Sequence, residues 1–183
     1  MAGRREIAEL EVRELLTVHR RASKSASNFR IATPSRRFHP DRMSEIIYPR
    51  SCRETMDGWI HLPRYVDKIR LDLAGKLAPD YQANLGKGFD AMWLKAAGVT
   101  HEQMVEVVKT SITDGEVCDW VRQHVKKTPA EKAAHAQEQL SRPTADNPAA
   151  QERFKLRLAE SGLTHRTDLK SFVDYIDADE KRL

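Results

Sequence analysis

The chain contains 183 residues, of which 40% are hydrophobic and 32% are charged, and its formal net charge is +4. This length favours a single domain, and no apolar stretch reaches the roughly 20 residues that a membrane-spanning helix needs. Cys52 and Cys118 form neither a CxxC pair nor a disulfide framework. The composition therefore argues against a membrane-spanning protein and against a small protein stabilised by disulfide bonds. It predicts a soluble, cytoplasmic protein.

Positive charge is concentrated near the N-terminus. Residues 1–42 contain 10 Lys or Arg and 5 Asp or Glu, whereas residues 43–183 contain 21 and 22. Residues 4–22 have helical apolar spacing, and the stretch that follows, to Arg42, is rich in Ser, Arg and Pro, which predicts a linker. Two interpretations stay open: a genuine basic arm, disordered or helical, or upstream sequence before a natural start at Met43. Non-specific nucleic-acid binding is expected only through this arm.

Residues 43–183 have a helical pattern almost throughout. The apolar residues from Leu62 to Leu77 align on one face of a helix, and Thr128 with Glu131 matches a capping box. Period-two runs of β-branched residues, which would indicate strands, are not present. The sequence therefore predicts a compact, all-α, multi-helix domain. Its predicted helices cover about residues 62–77, 89–98, 100–110, 113–125, 129–140 and 148–162, with a last helix after a cap at Thr167.

The segment from Tyr48 to Lys68, YPRSCRETMDGWIHLPRYVDK, combines turn residues, aromatic residues and many charged residues. Its YPRS and HLPRYVDK blocks, together with FVDYIDADE at Phe172–Glu180, resemble an uncharacterised family of small bacterial proteins that is known only as a domain of unknown function. The resemblance covers most of residues 43–183. It implies a fold and a domain start, but it implies no reaction.

The same segment contains a candidate ligand-binding face. If the first long helix begins near His61, four of its polar side chains share one face, and three more polar residues precede it in the loop. Guanidinium groups make two-point hydrogen bonds to carboxylates and phosphates, so this face is suited to bind an anion. The candidate residues are Arg50, Ser51, Arg53, His61, Arg64, Tyr65 and Lys68.

A purely structural role for this face stays open. Arg53 and Arg64 can instead pair with nearby carboxylates and lock the loop onto the helix, because charge pairs on helix surfaces are common. The nearby acidic residues are Glu54, Asp57, Asp67 and Asp72.

A small enzyme is the alternative function. Its site would be built from His61, Arg64 and Tyr65, with Cys52 as a possible nucleophile, because the neighbouring Arg50 would lower the pKa of the thiol. Elbow or oxyanion motifs that would support this hypothesis are not found in the sequence. Catalytic residues are therefore not assigned.

Metal and nucleic-acid sites are not predicted in residues 43–183. His61, His101, His124 and His135 lack the spacing of a local metal motif, so neither a metal nor a cofactor is expected. Residues 99–123 resemble a helix-turn-helix, but the second helix begins with acidic residues that would face phosphates with like charge. The leading hypothesis is a non-enzymatic module that binds a small anion or a protein partner.

Overall fold

The computed structural model describes residues 46–183. The predictions made for the basic arm and for a start at Met43 lie outside these residues. The described part confirms a compact, mostly helical fold, with one small hairpin that the sequence analysis missed. Its elements are β1 (Thr55–Met56), β2 (Trp59–Ile60), α1 (Leu62–Leu73), α2 (Pro79–Gln82), α3 (Phe89–Ala97), α4 (His101–Thr110), α5 (Asp114–His124), α6 (Pro129–Leu140), α7 (Pro148–Glu160) and α8 (Phe172–Asp179).

The hairpin is formed by two strands of two residues each, with Met56 paired to Trp59 in antiparallel register. Its turn is Asp57-Gly58, and both residues have positive φ angles, 51° and 75°. Two successive residues of this kind are typical of the tight turn that suits the twist of a hairpin. Strands this short give no periodic pattern in the sequence, but the Asp57-Gly58 pair could have indicated the hairpin turn.

Helix α1 begins immediately after the hairpin, with Pro63 in its first turn. Its buried apolar residues include Leu62, Val66 and Ile69, as the spacing predicts, whereas Leu73 of the same predicted face is 49% exposed. The helix ends at Leu73 rather than at Leu77, because the chain turns through Ala74 and a left-handed Gly75. Leu77 is nevertheless buried.

The hydrophobic core lies between the hairpin, α1, α3, α4 and α5. Its largest members are Trp59, Tyr65, Trp93 and Met104, each at most 1% exposed. Trp59 packs edge to face against Trp93, with ring centroids 5.9 Å apart. Burial of such side chains is the main favourable contribution to folding.

Side-chain caps fix the starts of several helices. The predicted capping box at Thr128 is confirmed, and Thr100 forms a second capping box at the start of α4. The predicted cap at Thr167 is wrong, because α8 begins after Ser171, whose hydroxyl accepts from the backbone of Asp174. Since a serine four residues later offers the same chemistry, local pattern alone did not separate the two positions.

The C-terminal helices bring a second acidic segment to the Tyr48–Lys68 region. Phe172 contacts Phe154 of α7 edge to face at 5.4 Å, and its backbone N–H donates to the carbonyl of Arg142. The Ser51 hydroxyl in turn donates to Asp177 at 2.9 Å. Among residues 46–183, the helices are all too short or too polar to cross a membrane.

Candidate functional site

Backbone geometry turns His61 into the domain interior. His61 lies between β2 and α1 with a φ angle of 66°, and its N–H donates to the carbonyls of Cys52 (3.1 Å) and Glu54 (3.2 Å). A positive φ is uncommon for residues other than glycine, although histidine is enriched among the exceptions. The imidazole is consequently only 2% exposed.

Asp90 is the centre of a buried polar cluster with His61 and Lys68. One of its carboxylate oxygens is 2.8 Å from His61 Nε2, and the other accepts from Lys68 Nζ and from the backbone N–H of Gly86. Burial opposes ionisation of Asp90, but hydrogen bonds from His61 and Lys68 keep its pKa below the usual range. Burial also lowers the pKa of His61, so the imidazole is neutral at pH 7. Lys68 is the cation of this cluster and donates directly to the Asp90 carboxylate.

Arg64 is the centre of a second buried cluster. Its guanidinium makes a two-point ion pair with Glu180, and it also donates to the backbone carbonyl of Arg50 at 2.8 Å. Glu180 receives further hydrogen bonds from Tyr81 and Arg182. This arrangement fixes the loop before the hairpin against α1 and the last turn of α8.

The loop cations are paired as well. Arg50 makes a two-point ion pair with Asp67 and reaches Asp114 at 2.7 Å. Arg53 pairs with Asp174 and lies 3.4 Å from Asp177. The side chain of Arg53 is nevertheless 47% exposed, so this guanidinium is open to solvent.

Tyr65 is directed into the aromatic core rather than toward a ligand face. Its ring is buried against Trp93, and its hydroxyl is 2.6 Å from His101 Nδ1. Burial raises the pKa of the phenol, so Tyr65 is protonated under ordinary conditions. The Tyr65 hydroxyl and the His101 imidazole are therefore hydrogen-bond partners of each other.

Cys52 is fully buried between the two clusters. Burial raises the pKa of its thiol to about 12, even though the charge of Arg64 acts in the opposite direction. Because the thiolate is the nucleophilic form, this position is unfavourable for covalent catalysis. The effect expected from neighbouring arginines is outweighed by desolvation.

The structure gives each of the seven candidate residues a protein partner of its own. Arg50, Arg53, Arg64 and Lys68 are held in ion pairs, whereas Ser51, His61 and Tyr65 are hydrogen-bonded to Asp177, Asp90 and His101. Pairing of Arg53 and Arg64 with carboxylates of residues 54–72 was the alternative to a ligand face. In the structure Arg53 instead pairs with Asp174 and Asp177, and Arg64 pairs with Glu180. The carboxylates that pair with the candidate residues and were not anticipated come from α3 (Asp90), from α5 (Asp114), and from α8 and its C-terminal cap (Asp174, Asp177 and Glu180). Only the acidic spacing of the FVDYIDADE segment offered a signal for them.

The histidines considered for a metal are dispersed. His124 is exposed and stacks on Trp120, with ring centroids 4.3 Å apart. His135 is buried against Trp59, and His101 contacts Tyr65. Within residues 46–183, no group of three His, Cys, Asp or Glu side chains is placed to hold a metal ion.

A basic concavity lies beside the tip of the hairpin. It encloses about 400 Å³, opens to solvent, and is lined by four cationic side chains and one carboxylate, that of Asp57. Asp57 already accepts from Arg122 at 2.9 Å and from Lys132 at 2.8 Å. The cations around the concavity are Arg122, Lys126, Lys127 and Lys132.

These features define a small, mostly helical domain with two buried ion clusters. The chain belongs to the family described as Domain of unknown function (DUF5069), which matches residues 46–182. No functionally curated protein matches this sequence. The family assignment confirms the resemblance to a domain of unknown function and leaves the activity open.

Proposed function

We propose that this protein is a non-enzymatic module that binds an oxyanion, either a free carboxylate or phosphate or an acidic segment of a partner protein. The basic concavity carries this proposal, because four cations and one carboxylate line it, which leaves an excess of positive charge there. Lys126 makes no ion pair with any of residues 46–183, so its charge is available to a ligand. Phosphate and carboxylate are the natural ligands of such clusters.

The face predicted at residues 50–68 contributes to the same function in a restricted way. Arg64 and Lys68 are buried and neutralised, so they hold the hairpin and α1 in place. Arg53 is the most accessible cation of this face, and we include it as a secondary ligand contact. Arg50 is about one-third exposed but is shared between two carboxylates.

A titration with inorganic phosphate tests the proposal. Amide chemical shifts of the full-length protein are followed while sodium phosphate replaces sodium chloride at constant ionic strength. We expect saturable changes in the amide chemical shifts of residues 122–132, which lie at the concavity. A Lys126→Gln, Lys127→Gln double variant should weaken binding at least several-fold, because each lost contact removes a charge-assisted hydrogen bond.

Matched controls separate specific binding from general charge effects. Lys155→Gln removes an exposed cation on α7 and should leave binding unchanged, and Arg53→Gln reports on the predicted face. A tetraglutamate peptide replaces phosphate in a second series and distinguishes a protein-like ligand from a free anion. Absence of saturable shifts with both probes, or equal weakening by Lys155→Gln, would overturn the proposal.

A small enzyme is the second candidate, and the Asp90–His61 pair favours it. A carboxylate that binds one nitrogen of a neutral imidazole fixes its tautomer and leaves the other nitrogen available as a base. The buried position of His61 and the neutral Cys52 thiol weigh against it. Hydrolysis of p-nitrophenyl acetate is measured for the wild type, His61→Asn and His165→Asn. Activity that is lost only in His61→Asn would support catalysis. Equal turnover by all three proteins would exclude His61 as a catalytic residue.

A further inference from the structure

Three buried polar side chains, one after the hairpin and two on α6, have atoms without protein hydrogen-bond partners. His61, His135 and Gln139 are 2%, 6% and 0% exposed. Among residues 46–183, no hydrogen-bond partner is found for His61 Nδ1, for His135 Nε2, or for either side-chain atom of Gln139. Buried polar groups in folded proteins are almost always paired, so this set needs an explanation.

Local geometry places the three residues in one neighbourhood. The ring of His135 lies 5.5 Å from that of Trp59, which precedes His61 by two residues in the chain. Gln139 follows His135 by four residues on α6 and therefore lies on the same face of the helix. Burial lowers the pKa of His135.

The hydrogen-bonding capacity of these atoms defines the chemistry of an occupant. Asp90 is ionised and also binds Lys68, so a neutral His61 donates through Nε2 and leaves Nδ1 as an acceptor. The Gln139 amide offers both a donor and an acceptor, and the indole N–H of Trp59 is a further unpaired donor. An occupant must therefore donate and accept hydrogen bonds.

The unpaired set contains no charged group. The cations that neighbour these residues are already paired: Lys68 is bound to Asp90, and Lys132, whose Nζ lies 5.5 Å from the Trp59 ring centre, is bound to Asp57. An ion placed here would lose its hydration without a counter-charge, which is strongly unfavourable. The occupant is consequently uncharged.

We propose that His61, His135 and Gln139 line a buried site for a small uncharged molecule that both donates and accepts hydrogen bonds. Water is the smallest such molecule, and a short amide or alcohol has the same chemistry. The site is separate from the basic concavity, and the proposal does not depend on the proposed function.

Substitution of Gln139 tests the site through stability. Gln139→Leu preserves approximate size but removes the amide, and Gln139→Met does so with a more adaptable side chain. If an occupant bridges the groups, both variants leave it and its other partners unpaired, and both lower the urea midpoint of unfolding. If the amide were simply unpaired, both variants would raise the midpoint or leave it unchanged, and the proposal would fail. Gln137→Leu, at an exposed position on the same helix, is the control.

Direct observation identifies the occupant. A high-resolution crystal structure of the wild-type protein should contain density within hydrogen-bond distance of His61 Nδ1 and the Gln139 amide. Native mass spectrometry then separates the sources: an unmodified protein mass with this density indicates water, and a retained extra mass indicates an organic molecule. A site without density, with the imidazole and amide paired to protein atoms, would refute the inference.

Discussion

Arg64 and Glu180 form a buried, two-point ion pair that joins the first long helix of the domain to its C-terminal end across 116 residues of sequence. Both side chains are at most 4% exposed. Arg64 also binds the Arg50 carbonyl, and Tyr81 donates to the same Glu180 carboxylate. The contacts of Glu180 thus hold the loop that precedes the hairpin in place.

We predict that Glu180→Ala lowers the free energy of unfolding by about 3–5 kcal/mol, because it leaves the Arg64 guanidinium buried without a counter-charge. An Arg64→Met, Glu180→Leu double variant should recover much of this loss, since apolar residues of similar volume remove both desolvation costs. Urea denaturation measures the free energy of unfolding of the wild type, the single variant and the double variant.

A surface ion pair provides the control for this clamp. Glu160 pairs with Arg157 on α7, where both side chains are about half exposed. Glu160→Ala should therefore change stability by only about 0–1 kcal/mol. Equal effects of Glu160→Ala and Glu180→Ala would show that burial of the clamp has no energetic consequence.

Stability should fall as the solution is acidified below about pH 6.5, the ordinary pKa of histidine. Burial lowers the pKa of His61 and of His135 in the folded state. Between the folded and unfolded pKa values the unfolded chain therefore binds more protons, so stability is fully present above this window and is lost as pH decreases through it. The slope is at most about 1.4 kcal/mol per pH unit for each histidine.

The variant His61→Asn isolates one contribution to this slope. Asparagine tolerates the positive φ angle at this position, and it cannot titrate in the window. Urea denaturation between about pH 5 and pH 7.5 should give a shallower slope than the wild type. The exposed His165, substituted as His165→Asn, should keep the wild-type slope; the same reduction in both variants would contradict the assignment to His61.

Local features were predictable from the sequence because they depend on neighbouring residues. The caps at Thr100 and Thr128 and the apolar face of α1 follow from spacings of three and four residues. The partners of the charged block were not predictable in the same way. Asp90 lies 29 residues from His61, and Glu180 lies 116 residues from Arg64, so packing of α3 and α8 selects these carboxylates rather than nearer ones.

Reactivity of the two cysteines should differ sharply. Cys52 is fully buried and burial raises the pKa of its thiol to about 12, whereas Cys118 is partly exposed. We predict that iodoacetamide modifies Cys118 first and that Cys52 reacts only when the protein unfolds, because alkylation requires an accessible thiolate. Peptide mapping by mass spectrometry after timed labelling measures both sites.

A Cys118→Ser variant simplifies the comparison by leaving Cys52 as the one thiol of the chain. Its labelling in native buffer should be slow, and addition of urea should accelerate it to the rate of an unfolded thiol. Rapid labelling of Cys52 in native buffer would instead restore it as a candidate nucleophile beside Arg64.

The hairpin turn gives a final prediction about backbone conformation. Gly58 has a φ angle of 75°, and a Cβ atom there would meet Lys132 Cδ at an ordinary contact distance of 3.4 Å. Gly58→Ala should therefore lower the free energy of unfolding by about 1–2 kcal/mol through backbone strain alone, not through a clash. Gly115 lies in α5 without a positive φ, so Gly115→Ala should have the opposite sign, stabilising the domain by up to about 1 kcal/mol. Urea denaturation of the two variants compares them directly, and a neutral Gly58→Ala would mean that the Asp57-Gly58 turn is not held in this conformation in solution.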